Sequence, residues 1–395
     1  MGSGGREHAL AWRLAQDATT ELHCAPGNPG IARLGHCHPV HAQDPEGLLG
    51  LARELAADLV VVGPEAPLVA GVADALRKNG IAVFGPSAAA ARIEGSKAFA
   101  KDVMREAGVP TAEALSVARP PCVVKADGLA AGKGVFVCRT QEELDAALPA
   151  AAALGQSLVI EELLEGREVS VFAICDGVNA IALPSAQDFK RAFDGDEGPN
   201  TGGMGSYSPA PDIDVDELVE LVHRPVLAEL ARRDAGFVGV LFAGLMLTES
   251  GPKVLEFNCR FGDPETQSLL PRLEGSLLDS LAAAAAGDAR GAALPVRDDA
   301  AVTVVLAAQD YPARGDSGST IDGIEAAEAT GAVVFHAGTA RRDRRLVTNG
   351  GRILDVTALG PTLAAARDRA YEAVKCVSFA GMRYRTDIAK ETAVV

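Results

Sequence analysis

The sequence predicts a multidomain chain of α/β and α+β class. A parallel α/β domain comes first, a core of antiparallel sheets follows, and a small α+β domain closes the chain. Three observations predict this order. Over residues 1–90, short apolar runs ending in Gly-Pro alternate with helical patterns, as parallel βα units do. From about residue 120 the apolar runs follow one another with few helical patterns between them, which favours antiparallel pairing. The last hundred residues give strands and then one long helical pattern. A length of 395 residues, at roughly 150 residues per domain, agrees with two to four domains.

Taken in order, Leu59-Val60-Val61-Val62 is a buried-type strand ending at Gly63-Pro64. A helix is expected from about Leu68 to Asn79, with Gly80 to stop it. Ile81 to Phe84 is the next strand, ending at Gly85-Pro86; ligands of open α/β sheets sit at such carboxyl ends. Residues 96–107 form a helix with Ser96 as N-cap and Gly108 just past its end. Cys122 to Lys125, Val135 to Cys138, Leu158 to Glu161 and Val169 to Cys175 read as strands. Gln187 to Pro211 is Gly/Pro-rich and without periodicity, and loops of that length are usually functional or disordered. Helices at about 214–232 and 267–286 flank an apolar hairpin, Val238 to Leu247 with Val254 to Phe257. Strands near 301–307, 332–336 and 352–357 precede a helix at about 361–375.

Composition narrows the function. The 37 Lys+Arg against 53 Asp+Glu leave a net charge of −16, which argues against nucleic-acid and anionic-membrane partners, since both need a basic footprint. Nucleotide substrates remain open, because a few local cations serve their phosphates. No apolar run is long enough to span a membrane, and Met1-Gly2-Ser3-Gly4 is not a signal peptide. Seven cysteines without a C-x-x-C pair read as free thiols in a reducing cytoplasm. His36, His38 and His41 are close in sequence, but no fourth metal ligand lies nearby and the segment reads as a surface connection.

Several stretches can carry chemistry. Lys125-Ala-Asp-Gly-Leu-Ala-Ala-Gly132-Lys133-Gly134 is not a P-loop: three residues separate its glycines, and a glycine follows the lysine. A glycine loop at a hairpin tip still covers phosphates with backbone N–H groups, and Lys125 adds a fixed charge at its strand end. Standing alone, the stretch would read as an ordinary flexible hairpin. In Val159 to Leu164, a strand edge with free backbone groups at Glu161, Glu162, Leu163 and Leu164 can read an adenine, with Glu168 for ribose hydroxyls, although acidic hinges are common. In Lys253 to Glu265, residues two apart share a strand face, so Glu256, Asn258 and Arg260 point together. A carboxylate beside an amide oxygen suits Mg²⁺, and the arginine beyond can stabilise a transferring phosphoryl group; the plain alternative is a solvated strand face. Gly198 to Gly205 forms a further glycine-rich loop, either for substrate or a plain Ω-loop. Gly4-Gly5-Arg6 and Pro26-Gly27-Asn28 offer N–H groups for a second phosphate.

Together these residues resemble one family. The motifs are Gly-Gly-Arg-Glu-His-Ala at 4–9, Ala-Pro-Gly-Asn at 25–28, Val-Gly-Pro-Glu-Ala-Pro-Leu at 62–68 and Glu-Gly-Ser-Lys-Ala-Phe at 94–99. They continue with the 125–134 loop, Gly-Pro-Asn-Thr-Gly-Gly-Met-Gly at 198–205, Glu-Phe-Asn-Cys-Arg-Phe-Gly-Asp-Pro-Glu at 256–265, Phe-His-Ala-Gly-Thr at 335–339 and Thr-Asn-Gly-Gly-Arg at 348–352. The chain is similar over essentially its whole length to the phosphoribosylamine–glycine ligases (glycinamide ribonucleotide synthetases), ATP-grasp enzymes of purine biosynthesis. The resemblance implies an N-terminal substrate-binding domain at 1–93, an ATP-grasp domain at 94–298 with 112–180 as a mobile lid, and a C-terminal domain at 299–395. It implies ATP held by Lys97, Lys125, Gly132, Lys133 and Gly134, the backbone at 161–164 and Glu168. Mg²⁺ or Mn²⁺ on Glu256 and Asn258 is implied as well.

Lys125, Lys133 and Arg260 are then the catalytic set. Phosphoribosylamine and glycine fall to Gly4, Gly5, Arg6, Gly27, Asn28, Glu65, Asp188, Lys190, Asn200, Thr201, Gly202 and Gly203. A cytoplasmic monomer or weak homodimer is expected, with small-molecule partners only.

Two departures stand out. The family's pattern has a short apolar strand before Gly-Gly-Arg, where this chain has Met1, so the expectation is a sequence that begins late, by misassigned start or truncation. Phe189 stands where the family usually has histidine. No second acidic metal ligand is assigned on Gly244 to Glu249. The alternatives are another ATP-grasp carboxylate–amine or carboxylate–thiol ligase, told apart by substrate dependence, and a nucleotide-binding protein without turnover. A dehydrogenase is weaker, because Gly2-x-Gly4-Gly5 is not G-x-G-x-x-G.

Overall fold

The computed structural model describes residues 1–129, 134–155, 157–291 and 293–390. The first unit holds two parallel strand pairs, His23–Cys24 with His36–Cys37 and Val60–Val61 with Val83–Phe84. Met1 and Gly2 lie between the two pairs. The Met1 amino group donates to Val61 O (2.8 Å), Gly63 N–H donates to Met1 O (3.2 Å), and Gly2 N–H donates to Ala25 O (2.8 Å). Two residues therefore carry the ladder across the middle of the sheet, where unpaired backbone groups are costly. The helix expected at 68–79 is two helices, Glu65–Val69 and Val72–Lys78. Gly71 breaks it by taking φ +85°, a left-handed conformation that an α-ladder does not pass through. His36 and His38 stack on His23, with ring centroids 5.3 and 5.2 Å away, and no metal-binding cluster of three forms among the described residues.

Helix Lys97–Ala107 starts and stops as its sequence dictates. Ser96 Oγ accepts from Phe99 N–H (3.2 Å), and Gly108 takes φ +68°. It leads into a small outer subdomain of three antiparallel strands, in the order Val135–Cys138, Cys122–Ala126, Leu158–Glu162. Helix Gln141–Ala152 closes over this sheet on a core of its own, with Val124, Cys138, Leu144 and Ala151 buried. No helical pattern stands out there in the sequence, because its alanine-rich face supplies little contrast.

The larger sheet runs Gly251–Asn258, Val238–Thr248, Arg167–Asp176, Ala180–Ala182, all antiparallel. The stretch 187–211 is more regular than its sequence suggests: Gln187–Asp188, Arg191–Phe193, Glu197–Asn200 and Gly205–Ser208 are short strands. Two of them join the C-terminal segment in one five-stranded sheet, ordered Gln187–Asp188, Gly205–Ser208, Ala300–Ala307, Arg352–Gly360, Val333–His336. The pattern at 267–286 is broken into Glu265–Leu269, a 3-10 turn at Leu270–Arg272, and Leu277–Ala285, which Ser276 caps anew. That at 214–232 carries a π-helical turn, Val219–His223. A further sheet, Asp316–Thr320, Arg345–Gly350 and Thr339–Arg342, was not legible in the sequence. No helix of the described residues is long and apolar enough to cross a membrane.

Candidate active site

A cavity of about 320 Å³ opens between the outer subdomain, the larger sheet and the first unit. Strand Gly251–Asn258 forms one wall. Antiparallel pairing with Val238–Thr248 turns Glu256 and Asn258 to the same side, as their spacing predicts. Both line the cavity, and among the described residues neither side chain makes a hydrogen bond or ion pair. An oxygen pair left free in this way fits a hard divalent cation.

Facing them is a cluster of lysines. Lys125 Nζ lies 2.6 Å from Glu161 Oε2 and donates to Leu255 O (2.8 Å), while Lys101 Nζ lies 2.8 Å from Glu161 Oε1. Lys97 Nζ donates to Gly128 O (2.9 Å) at the start of the glycine loop. Burial lowers the pKa of both Lys97 and Lys101, with carboxylates working against it. Lys101 was missed in the sequence, although it lies one helical turn beyond Lys97 on the same face. Asp127 fixes the loop to this helix: its Oδ1 accepts from Lys97 N–H (2.6 Å), and its Oδ2 accepts from Ser96 Oγ (3.3 Å) and Ser157 Oγ (3.2 Å). Gly132 and Lys133 lie outside the described residues; Gly134 O accepts from Ala126 N–H (2.8 Å).

The strand edge at 161–162 is not free. Glu162 N–H donates to Glu113 O (2.9 Å), and Ala114 bridges Glu161. The segment entering the subdomain folds back along that edge, which leaves only Leu163 and Leu164 beyond it. Glu162's carboxylate is held by Lys253 Nζ (2.8 Å) and Glu113 N–H (3.0 Å).

Arg260 is clamped by two carboxylates, Glu65 Oε2 at 3.3 Å and Glu94 Oε1 at 3.1 Å. Burial opposes its charge, but Glu94 and Glu65 outweigh burial and hold its pKa above the ordinary value. Glu94 also accepts from Cys259 N–H (2.8 Å); it stands in the 94–99 motif but carried no expected role. On the opposite side, Lys190 Nζ lies 2.8 Å from Glu168 Oε2 and 3.0 Å from Asp188 Oδ1. Burial pushes Asp188 up, and Lys190 in turn holds Glu168 below its ordinary value. Burial and Asp188 raise Glu265 to about 7.

The glycine turns divide differently from the sequence reading. Gly202 lies in the cavity, its O accepting from Arg352 Nη1 (2.6 Å) and its N–H donating to Tyr311 Oη (2.9 Å). Thr201 Oγ1 donates to Lys190 O (2.8 Å). Gly203 is needed for contact, because a Cβ there would meet Pro264 Cδ at 2.4 Å. Asn200 lines the neighbouring cleft instead. Asn28 is spent internally: its Nδ2 donates to His336 O (2.8 Å) and Ser3 O (2.9 Å), and its Oδ1 accepts from Gly30 and Ile31 N–H (2.9 and 3.0 Å). Gly27 packs on Cys37, with Cβ room of only 2.4 Å to Sγ. Gly4 N–H donates to Glu7 Oε2 (2.6 Å). Arg6 lines the cavity from the first helix, its Nε donating to Glu7 Oε1 (2.6 Å). Arg352 and Asp263, 3.2 Å apart, complete the wall; both stand in quoted motifs without an expected role.

Three family models match this chain in succession: the N domain of phosphoribosylglycinamide synthetase at residues 1–94, its ATP-grasp (A) domain at 95–266 and its C domain at 301–391. The chain belongs to the phosphoribosylglycinamide synthetase family. A Streptomyces coelicolor protein named phosphoribosylamine–glycine ligase is 52% identical over 414 residues, spanning 100% of this chain and 98% of that protein. One of the same name from Brucella melitensis is 49% identical, over 98% of this chain and 96% of that protein. The crystal structure of phosphoribosylamine–glycine ligase from Thermotoga maritima superposes with a TM-score of 0.85 at 36% identity, covering 98% of each chain. The biotin carboxylase domain of Hydrogenobacter thermophilus 2-oxoglutarate carboxylase superposes at 0.71 with 17% identity, over 99% of this chain and 96% of that one. That last likeness is of fold alone, the ATP-grasp architecture with mixed helices and sheets.

Proposed function

We propose that this chain joins glycine to 5-phosphoribosylamine at the expense of ATP, giving glycinamide ribonucleotide, ADP and phosphate through glycyl phosphate, in purine biosynthesis. The observation that supports the reading is one cavity whose two ends carry separate clusters of cations, read here as a phosphate end and a substrate end. Lys97, Lys101 and Lys125 stand at the first, and Lys190, Gly202 and Arg352 at the second, with Arg260 and Glu256 between.

A carboxylate is a poor electrophile, so it must be activated before an amine can attack it. An oxygen of glycine's carboxylate attacks the γ-phosphorus, the bond to the β-phosphate oxygen breaks, and ADP leaves. The amine of phosphoribosylamine then attacks the acyl carbon; the acyl–oxygen bond breaks, phosphate leaves and the nitrogen loses a proton. Lys125 and Lys97, with Lys133, Gly132 and Gly134, hold the transferred group and the nucleotide, with the adenine against Leu163 and Leu164 and Glu168 at the ribose. Arg260, desolvated and already oriented by Glu65 and Glu94, meets the charge that develops on the phosphoryl oxygens without reorganising. Gly4 to Arg6, Gly27 and Asn28 shape the far end through the turns they hold. Glu256 and Asn258 would hold Mg²⁺ or Mn²⁺, which would neutralise phosphate charge and orient the nucleotide. The seven cysteines are all free, which fits a cytoplasmic enzyme; a monomer or weak homodimer is our working state.

Glycine-dependent ADP release with freshly generated phosphoribosylamine tests the reading. Release that requires both substrates is expected. Release with another acid, or ATP binding without turnover, would assign the chain to a different ligase or to a binding role.

A further inference from the structure

The segment after the last helix reaches back across the molecule to the loop that carries Lys190, Asn200 and Gly202. At its centre is Arg385, fully buried at 2% exposure although arginine is among the residues least often buried. Its Nε and Nη2 make a two-pronged contact with Asp387 Oδ1 and Oδ2, both at 2.7 Å. Its Nη1 then donates to Arg191 O, at the open base of the hairpin, and to Asp196 Oδ1, in its turn, both at 3.1 Å. The guanidinium lies 5.0 Å over the Phe189 ring, the residue that stands in place of the family's histidine. Burial alone would lower the Arg385 pKa, and Asp387 and Asp196 outweigh it.

Its neighbours grip the same hairpin. Thr386 N–H donates to Asp194 Oδ1 (2.8 Å), and Asp387 Oδ2 accepts from Gly195 N–H (2.8 Å). The segment is itself held from behind by helix Leu363–Val374: Tyr371 Oη donates to Arg385 O (2.7 Å), and Arg367 donates to Ile388 O (3.0 Å) and Thr386 O (2.8 Å). A two-stranded hairpin such as Arg191–Phe193 with Glu197–Asn200 is marginal by itself. Here it is tied to a helix through a buried arginine.

We infer that Arg385, oriented by Asp387, is a positioning residue for the second substrate: it sets the height of the 191–200 hairpin and so places Lys190 and Gly202 in the cavity. The inference rests on the reading of this loop as the phosphoribosylamine site. The Arg385 contacts reach none of the lysines at the ATP end, Lys97, Lys101 and Lys125, and meet Glu168 only through Lys190, so the affinity for phosphoribosylamine should move far more than that for ATP.

The test uses the full chain carrying Arg385→Lys, with Asp387→Asn as the milder change should the first fail to fold. A lysine keeps the charge and loses the planar fork. The KM for phosphoribosylamine should rise at least about tenfold, the loss of roughly one charge-assisted hydrogen bond. The KM for ATP should stay within about twofold, and amide hydrogen exchange across 191–203 should speed up. Lys190→Ala is the control for the loop itself. If Lys190→Ala raises the KM for phosphoribosylamine and Arg385→Lys does not, or if Arg385→Lys moves both KM values together, the positioning role is overturned. If exchange quickens but neither variant moves that KM, the loop is not the phosphoribosylamine site, and the inference falls with that reading.

Discussion

Glu161 holds two lysines from different elements, Lys125 at 2.6 Å on the neighbouring strand and Lys101 at 2.8 Å on the helix that leads into the outer subdomain. With its side chain at 3% exposure, this carboxylate sets the spacing of the charges that would meet ATP. Lys125 keeps a second anchor on Leu255 O, and so the two partners should not be equivalent. Lys125→Met should lower kcat/KM for ATP at least about a hundredfold. Glu161→Gln should cost only about five- to tenfold there, but lower the melting temperature, because it leaves buried ammonium groups without their counter-charge. Equal losses in steady-state assays of the two variants would show that the carboxylate itself contacts the nucleotide.

Arg260→Ala should leave ATP affinity, measured by titration, largely intact and cut turnover at least about a hundredfold. Glu94→Gln should reproduce part of that loss, since Glu94 holds the guanidinium at 3.1 Å. Turnover unchanged in Arg260→Ala would remove the arginine from the chemistry.

Glu256→Gln should raise the Mg²⁺ concentration for half-maximal activity by about tenfold or more, as removal of a charged ligand weakens a hard-cation site. The ATP dependence measured at saturating Mg²⁺ should change less. A Mg²⁺ titration indistinguishable from that of the unmodified protein would place the metal elsewhere.

Asp355 is fully buried, and burial followed by the nearby Asp263 charge raises its pKa from an ordinary 3.8 to about 7. Between those values the folded chain keeps a proton that the unfolded chain has lost. This group's contribution to stability therefore falls as pH rises through that window, by on the order of 2–4 kcal/mol. Asp355→Asn removes the titration, so its melting temperature should decline less between pH 5 and pH 8. Parallel melting curves for the two proteins would show that Asp355 is ionised throughout.

Gly5→Ala should destabilise by about 1–3 kcal/mol, the usual cost of forcing an extra methyl into a packed site. A Cβ there would meet Asp355 Oδ2 at 1.9 Å and Gln267 Nε2 at 2.7 Å. Gly50→Ala, where nothing lies within 4 Å, is the control in the same thermal melt.

Fold class and the order of the three kinds of unit were legible along the chain, as was the shared strand face of Glu256 and Asn258. Those are local properties: strand alternation turns Glu256 and Asn258 to one side whatever they face, and Ser96 and Gly108 bound their helix through their own backbone bonds. Which polar residues meet is set by long-range folding. Asn28 and Gly5 read as phosphate-binding from their motif, yet Asn28 is consumed by His336 and Gly5 makes room for Asp355, partners more than 300 residues away. The free edge expected at Glu161 and Glu162 is covered by the chain's own entry into the subdomain. Lys101, Glu94 and Arg385 carried no signal strong enough to single them out, because a lone charged residue reads as solvated until the fold buries it against a counter-charge. Periodicity reports what a residue does within its own element, and long-range contact is invisible to it.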